Sequence, residues 1–245
     1  DVGISVDSAV DIAKETADII LLEKDLMVLE EGVIEGRRTF GNIIKYIKMA
    51  ASGNFGNMIS VIAASIFLPF LPMLPVQILT QNLLCDFSQM GIPFDNVDKE
   101  YIEKPRKWET QSIKSFIAYM GPLSSIFDIL CFAVMWWVIG ANTVEMAPLF
   151  QCGWFVFGTL SQVIHMIRTA KVPFLQSKPS APLFLSTFIV AVIALIIGFT
   201  DFAIGLDMVR LPISFIPWLS AIILGYLLCG QLIKKIYIRH NGEWM

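Results

Sequence analysis

Two polar stretches interrupt the apolar sequence between residues 53 and 89. The first is Gly53-Asn54-Phe55-Gly56-Asn57, and the second is Asn82-Leu83-Leu84-Cys85-Asp86. The residues around both stretches are apolar enough to enter a bilayer. The two asparagines of the first stretch are three residues apart, and Asn82 and Asp86 are four apart, so each pair shares one face of a helix. We therefore expect two membrane helices whose polar faces meet.

These four side chains predict an ion-binding site. A carboxylate and carboxamides at membrane depth are costly unless they serve a function, and hard cations such as Mg²⁺ take oxygen ligands from such groups. For Asn54 and Asn57 alone, helix packing is an equally good interpretation, because Asn and Gly also support close contacts between membrane helices. Asp86 favours ion binding, since an intramembrane carboxylate marks a functional site by default. The predicted metal ligands are Asn54, Asn57, Asn82 and Asp86.

The composition is that of a polytopic membrane protein, mainly α-helical. Hydrophobic residues make up 56% of the 245 residues and charged residues 16%, and the mean hydropathy is +0.67. A soluble domain has about 25% charged residues. The four cysteines form no CxxC pair, so we expect buried, reduced thiols rather than a disulfide framework or a zinc site. Nothing in this composition indicates a nucleic-acid partner.

The first 24 residues do not resemble a membrane segment. Residues 2–6 and 18–22 are predicted as strands, and a helix over 9–16 is predicted between them, capped by Asp7 or Ser8. The second strand is rich in aliphatic residues, as a buried parallel strand is. We interpret 1–24 as the end of a cytosolic α/β domain. Because the sequence starts without Met inside an apparent strand, we expect it to be the C-terminal piece of a longer protein.

A long helix is predicted to follow this segment. Residues 25–68 contain no proline, and one continuous helix of that length would measure about 65 Å, more than a bilayer needs. Its charged first half, 25–52, is predicted to be a stalk that connects a cytosolic domain to the membrane. The alternative is two helices broken near Gly41 or Gly53.

Six membrane spans are predicted within a transmembrane domain over 53–238, and 239–245 form a cytosolic tail. Each span is close to the ~20 residues that a bilayer requires. Their approximate limits are 53–70, 75–93, 114–140, 148–167, 183–200 and 215–233. Basic residues cluster at alternate span ends, so both ends of the chain are predicted to be cytosolic. These residues are Arg37, Arg38, Lys45, Lys48, Lys99, Lys104, Arg106, Lys107, Lys114, Arg168, Lys171, Lys178, Lys234, Lys235 and Arg239.

Several other charged residues have two interpretations each. Asp128 lies in the middle of the third span, and a hydrogen bond to a neighbouring helix is favoured over a role as a second ion ligand. The acidic loop at Asp95, Asp98 and Glu100 is interpreted as solvated rather than ion-binding. His165 is interpreted as an interfacial anchor rather than a metal ligand.

The basic residues after the last span predict contact with lipid. Lys234, Lys235 and Arg239 lie just cytosolic of it, with Lys171 and Lys178 in a neighbouring loop. Such residues attract anionic headgroups by about 1 kcal/mol each. Anionic membrane lipids are therefore predicted partners.

The sequence resembles the P-type cation pumps along its whole length. Residues 1–6 resemble the segment after the hinge motif of their phosphorylation domain, 35–38 resemble the start of their fifth helix, and 75–86 look like their sixth. Within this superfamily the likeness is greatest to the bacterial magnesium-importing ATPases. It is carried by Phe94-Asp95-Asn96-Val97-Asp98, Lys104-Pro105-Arg106-Lys107-Trp108, Gly121-Pro122-Leu123-Ser124-Ser125-Ile126-Phe127-Asp128 and His165-Met166-Ile167-Arg168-Thr169.

The resemblance implies that the chain provides the fifth to tenth helices of a ten-helix pump that imports Mg²⁺ through the bacterial inner membrane. It also implies an ATP site, a phosphorylated aspartate and a fourth helix with ligands. The sequence contains no Asp-Lys-Thr-Gly-Thr motif, so we expect ATP hydrolysis only in the full-length protein. Alternatives are a P-type pump for calcium or protons, and a channel or secondary transporter without ATP chemistry. The strand-helix-strand segment and the charged stalk disfavour the latter.

By position, the four predicted ligands match the ion-binding residues that calcium pumps use on these two helices. Those pumps place a carboxylate where Asn57 stands, and another on the eighth helix. The present sequence has no carboxylate between Pro148 and Arg168. The smaller number of acids favours one ion per cycle, and Mg²⁺, which keeps several of its waters, needs few direct ligands.

Overall fold

A computed structural model describes residues 2–23, 25–164 and 178–242. At its N-terminus, β1 (Ile4–Val6) and β2 (Ile19–Leu21) form a parallel pair around the short helix α1 (Asp11–Glu15). The predicted helix cap at Asp7 or Ser8 is wrong. The Asp7 amide instead donates to the Leu21 carbonyl, so this residue continues the sheet, and α1 starts after Val10 with no side-chain cap.

The second strand is less buried than its aliphatic sequence suggests. Ile19 and Ile20 remain exposed, because a sheet of two strands and one turn of helix cannot cover both faces.

The stalk and the first predicted span form one helix. α2 runs without interruption over Leu26–Phe67, which corresponds to a length of about 63 Å. The side chain of Asp25 caps it by accepting from the Met27 amide at 2.8 Å. A break at Gly41 or Gly53 is therefore ruled out. Gly41 serves packing instead, since a Cβ there would lie 2.9 Å from the ring of Tyr101.

The other predicted spans coincide with helices, at slightly different limits. These are α3 (Pro75–Gln89), α5 (Thr110–Ala133), α6 (Ala147–Ile164), α7 (Ala181–Phe199) and α8 (Phe215–Asn241). A π-helical turn, Val134–Val138, extends α5, and the short α4 (Lys99–Ile102) lies in the loop after α3. Short 3-10 turns occupy Ile92–Phe94, Val144–Met146 and Asp201–Leu206. α8 continues into the segment predicted as a tail.

Helix α6 is at the centre of the bundle. It packs against α3, α5, α7 and α8, while α2 packs mainly against α5. Phe150, Phe155 and Phe157 of α6 are fully buried. The outward faces of the surrounding helices carry large exposed apolar side chains, as helices in contact with lipid do. The core of the molecule is therefore helix against helix, with no sheet involved.

Four helices in the described part of the chain are long and apolar enough to cross a membrane. They cover Met27–Phe67, Thr110–Val138, Ala181–Phe199 and Phe215–His240. The chain is thus a multi-pass membrane protein. α3 is shorter, with 15 residues, and carries many polar groups, while α6 is buried nearly all round and contains Gly, Ser and Gln in place of further aliphatic residues. The count of six spans remains a prediction.

Part of the fourth predicted span and its flanking charges cannot be compared with the structure. The predicted end of that span, 165–167, lies outside the described residues. The same holds for His165, Arg168 and Lys171, on which the predictions of an interfacial anchor and a basic loop depend.

Candidate ion-binding site

A cavity of about 180 Å³ lies between α2 and α3. Side chains of α5, α6 and α8 complete its wall. Its lining is unusually rich in oxygen-bearing and amide side chains for a membrane interior. The lining residues are Met49, Ala50, Ser52, Gly53, Asn54, Asn82, Cys85, Asp86, Gln89, Met120, Ser124, Gln162 and Tyr226.

Close packing on α5 positions the α2 side of this cavity. A Cβ on Gly56 would lie 2.9 Å from the Cβ of Ser124, so only glycine permits this approach. The hydroxyl of Ser125 donates to the Gly56 carbonyl at 3.0 Å and fixes the contact. Asn54 thereby faces the cavity, whereas Asn57 is half-buried and is not part of the cavity wall.

The α3 side is positioned by the neighbouring face of that helix. Gln81 and Cys85 are buried, with Gln81 packed over Gly158 of α6. The hydroxyl of Ser186 on α7 donates to the Ser88 carbonyl at 2.8 Å. With this face anchored on α6 and α7, the helical period turns Asn82 and Asp86 toward α2.

Three of the four predicted ligands therefore meet in one cavity. The side chains of Asn54, Asn82 and Asp86 are accessible, and none of them forms a hydrogen bond or ion pair with another residue that the structure describes. A carboxylate at membrane depth without a partner is costly. One carboxylate with neutral amide oxygens is a donor set that suits a hard cation such as Mg²⁺.

Two glutamines on the cavity wall were not predicted from the sequence. Gln162 of α6 accepts a hydrogen bond from the Cys85 thiol, with 2.9 Å between Sγ and Oε1. The Oε1 atom of Gln89 is buried and has no hydrogen-bond partner among the described residues. An amide within an apolar span was the available signal for Gln162, but sequence spacing alone does not connect it to the α2–α3 pair.

Asp128 lies outside this cavity and has partners of its own. It is 1% exposed. One carboxylate oxygen accepts from the Ser60 hydroxyl of α2 at 2.6 Å, and the other accepts from Trp154 Nε1 of α6 at 2.9 Å. The interpretation of Asp128 as a hydrogen-bonding group between helices is confirmed.

The acidic loop differs from its prediction at Asp95, whereas Glu100 is exposed as predicted. Asp95 is buried rather than solvated, and its Oδ2 lies 2.7 Å from Lys45 Nζ. The sequence could not reveal this because the lysine is fifty residues away on α2. No group of three or more His, Cys, Asp or Glu side chains suited to a metal occurs in residues 2–23, 25–164 and 178–242, so the described acids offer no second metal site of that kind.

Comparison with known proteins gives related sequences of ion pumps. "Magnesium-transporting ATPase, P-type 1" of Escherichia coli K12 is 59% identical over 244 residues, which are 99% of this chain and 27% of the relative. A Salmonella typhimurium LT2 protein of the same name is 56% identical over 246 residues, covering 100% and 27%. A "Calcium-transporting ATPase" of Bacillus subtilis is 24% identical over 178 residues, covering 68% and 19%.

The chain thus spans 27% of the length of the magnesium-transporting relatives. The family model described as "Cation transporting ATPase, C-terminus" matches residues 70–236, which is more than half of the chain. It includes α3, with its two predicted ligands, and the later helices as far as residue 236 in α8. The protein therefore belongs to the family of cation-transporting ATPase C-terminal regions.

Proposed function

We propose that this chain is the C-terminal transport half of a P-type ATPase that imports Mg²⁺ across the bacterial inner membrane. ATP binding and the aspartyl phosphate would belong to other parts of the full-length protein. The names of the relatives at 59% and 56% identity support the ion and the reaction class. The transported Mg²⁺ is the substrate, and the proposed ligands are Asn54, Asn57, Asn82 and Asp86.

The observation that carries this proposal is the surroundings of Asp86. Its carboxylate faces a cavity of about 180 Å³ together with Asn54 and Asn82. A water molecule occupies about 30 Å³ in the liquid, so this space accommodates an ion with several of its waters. Mg²⁺ gives up its waters reluctantly and is bound through few carboxylates. A single acid among amides therefore suits Mg²⁺ better than a cation that must be fully dehydrated.

The two walls of the cavity are attached to different parts of the molecule. α2 continues from the charged stalk to the cavity without a break, while α3 is anchored on α6 and α7. A tilt of the stalk would therefore move Asn54 relative to Asn82 and Asp86. Phosphorylation and dephosphorylation in the full-length protein would drive this tilt and alternate access between the two sides of the membrane.

The proposed topology has six spans, the fifth to tenth of the pump, with both ends of the chain cytosolic. Residues 1–24 would be the end of the phosphorylation domain and 25–52 the stalk. The cluster of basic residues at alternate span ends supports this orientation.

The test uses Asp86→Asn in the full-length protein, with free Mg²⁺ varied at fixed Mg-ATP. This substitution keeps the size of the side chain and deletes the only charge among the described residues of the cavity wall. Because charged contacts contribute about 1.5–3 kcal/mol, we expect half-maximal ATPase stimulation to need roughly ten to a hundred times more free Mg²⁺, or to be abolished.

The matched control for this test is Asp128→Asn, which removes a carboxylate from a neighbouring helix outside the cavity. It should leave the Mg²⁺ dependence close to that of the wild type. If Asp86→Asn kept the wild-type dependence of ATPase activity on free Mg²⁺ while Asp128→Asn lost it, the ion-binding site would lie on other helices. Stimulation by calcium in place of magnesium would favour a pump for another cation.

A further inference from the structure

A small void adjoins the ion-binding cavity on the side of the stalk. It encloses about 10 Å³, which is the space that one water molecule needs and too little for a hydrated ion. Met49 and Gln89 line both the void and the ion-binding cavity. Lys45 and Asp95, which form a buried ion pair, also line the void. Gln89 therefore lies between the ion-binding cavity and this ion pair, where the polar interior narrows.

Gln89 is aligned with the two predicted ligands of α3. Asn82, Asp86 and Gln89 follow one another at intervals of four and three residues, so they share one face of the helix. All three residues line the ion-binding cavity. Gln89 is the last residue of α3 and lies one helical turn closer to the stalk than Asp86. An ion that moved from Asp86 toward the stalk would therefore pass this side chain.

The side chain of Gln89 also has an oxygen without a partner. Its Oε1 atom is buried, and no described residue donates a hydrogen bond to it. A buried acceptor without a partner is costly, and in folded proteins such atoms are usually paired with protein, water or an ion. Amide carbonyl oxygens are ligands of hard cations. The chemistry and position of this atom both point to a partner in the cavity.

A second glutamine of α3 provides a comparison. Gln81 is buried, and its Nε2 atom has no hydrogen-bond partner among the described residues. It packs over Gly158 of α6 and is not part of the cavity wall. The unpaired group of Gln81 is a donor, which does not bind a cation, whereas the unpaired group of Gln89 is an acceptor. Of these two glutamines, only Gln89 combines a free oxygen with a place on the wall.

We propose that Gln89 is a further ligand of the transported cation, which it contacts through Oε1 at the stalk-side end of the cavity. This inference rests on the proposed function, in which Mg²⁺ occupies the cavity. Mg²⁺ keeps several of its waters and needs few protein ligands, so one additional amide oxygen suits it. Because this oxygen carries no net charge, it holds the ion less tightly than Asp86 does and allows the ion to move on toward the stalk side.

The test measures ATPase stimulation of the full-length protein while free Mg²⁺ is varied at fixed Mg-ATP. Gln89→Met keeps the length of the side chain and removes the oxygen. We expect half-maximal stimulation to need about three- to tenfold more free Mg²⁺, with turnover at saturating Mg²⁺ retained. Gln89→Glu keeps the oxygen and adds a charge, so it should need about three- to tenfold less.

Gln81→Met is the matched control, because it makes the same exchange on the same helix away from the cavity wall. It should leave the Mg²⁺ requirement unchanged. Thermal unfolding without added Mg²⁺ separates a ligand from a packing residue. Gln89→Met removes an unpaired buried acceptor and should unfold at no lower temperature than the wild type. A lower unfolding temperature with an unchanged Mg²⁺ requirement would assign Gln89 to packing and overturn the proposal.

Asp86→Asn, measured alongside, separates this proposal from the proposed function. If Asp86→Asn raises the Mg²⁺ requirement and Gln89→Met does not, Gln89 is not a ligand and the proposed function stands. If neither variant raises it, the cavity is not the ion site and both proposals fail. Equal increases in Gln89→Met and Gln81→Met would reflect a general disturbance of α3 and would also overturn the role of Gln89. If Gln89→Met does not fold, Gln89→Glu decides: a lower Mg²⁺ requirement supports the proposal, and an equal or higher one overturns it.

Discussion

Asp86 and Asp128 are two carboxylates of the membrane helices with opposite surroundings. Asp86 faces a cavity and has no side-chain partner among the described residues, whereas Asp128 accepts hydrogen bonds from Ser60 and Trp154. Both are expensive to place in a membrane. Their partners support different roles: Asp128 connects three helices, and we propose that Asp86 binds the ion.

The connecting role of Asp128 predicts different effects of two substitutions. Asn can still accept from Trp154 through its carbonyl and donate to Ser60 through its amide, so Asp128→Asn should lower stability only slightly. Asp128→Ala leaves both donors without this acceptor, at a cost of about 1–3 kcal/mol for each. The thermal unfolding temperature of the purified protein measures this difference. Equal stability of the two variants would contradict the role.

Substitution of the neutral ligands of the proposed site should change the Mg²⁺ requirement less than substitution of Asp86 does. Asn54→Ala and Asn82→Ala each remove one oxygen from the cavity wall, so each should raise the free Mg²⁺ needed for half-maximal ATPase stimulation by about three- to tenfold. Turnover at saturating Mg²⁺ should persist. Asn57→Ala is the informative member of the series, because Asn57 is not part of the cavity wall. An unchanged Mg²⁺ dependence in this variant would remove Asn57 from the ligand set.

At the residue scale, spacing identified pairs on one helix but not contacts between helices. Asn82 and Asp86 were expected to share a face, and they do line one cavity. Gln89 and Gln162 were missed, because their place on the wall depends on how α3 packs against α6. Asn57 is three residues after Asn54 and was expected to share its helix face. The close approach of α2 to α5 at Gly56 leaves only Asn54 on the cavity wall.

At the element scale, α2 is connected to the loop after α3 by a buried polar cluster. Lys45 Nζ contacts Asp95 Oδ2 at 2.7 Å, and Asn42 Nδ2 donates to the Asp95 carbonyl at 3.0 Å. Asp95 Oδ1 accepts from the Ser180 amide just before α7 at 2.9 Å. One aspartate thus joins the stalk helix to the loop and to the start of α7.

This cluster predicts that a single substitution lowers the stability of the protein more than a double substitution does. Asp95→Asn retains an acceptor for Ser180 but leaves the buried Lys45 ammonium without this carboxylate, and breaking a buried pair in this way costs about 3–5 kcal/mol. Lys45→Met combined with Asp95→Asn removes both charges and should restore much of that loss. Thermal unfolding of the three proteins measures the order. A double variant less stable than Asp95→Asn would contradict the argument.

The positions of the helices along the sequence were largely predictable, whereas the contacts between helices and loops were not. Apolar runs and prolines located every long helix, because membrane insertion requires about 20 apolar residues and prolines mark the turns. The continuous α2 was likewise expected from the absence of proline. The prediction of a solvated acidic loop was wrong at Asp95, since the burial of this residue depends on Lys45, which only the folded chain brings near.

At the scale of the whole molecule, the helices form a bundle around α6 with apolar outer faces. α6 is buried by α3, α5, α7 and α8, and this explains why its sequence is less hydrophobic than that of the peripheral α7. A helix surrounded by protein packs through small and polar residues, whereas a helix against lipid needs continuous apolar surface. Hydropathy therefore identifies the outer spans more clearly than the central one.

The proposed orientation of this bundle predicts the outcome of cysteine labelling in intact cells. Asn142 lies between the third and fourth predicted spans and Lys178 between the fourth and fifth, and both residues are exposed. If the span ends rich in basic residues are cytosolic, as the positive-inside rule predicts, Asn142→Cys should react with a membrane-impermeant maleimide from outside. Lys178→Cys should react only after the membrane is permeabilised.

The native thiols define the background of this experiment. Cys85, Cys131 and Cys152 are buried and should label slowly, whereas the partly accessible Cys229 is best replaced by Ser beforehand. A protein with this replacement and no added cysteine serves as the blank. If both probes reacted from outside, an even number of spans would separate them, and the prediction that α6 is the single span between them would be wrong. The reverse pattern, with Lys178→Cys labelled outside and Asn142→Cys protected, would invert the whole bundle and place the stalk outside the cell.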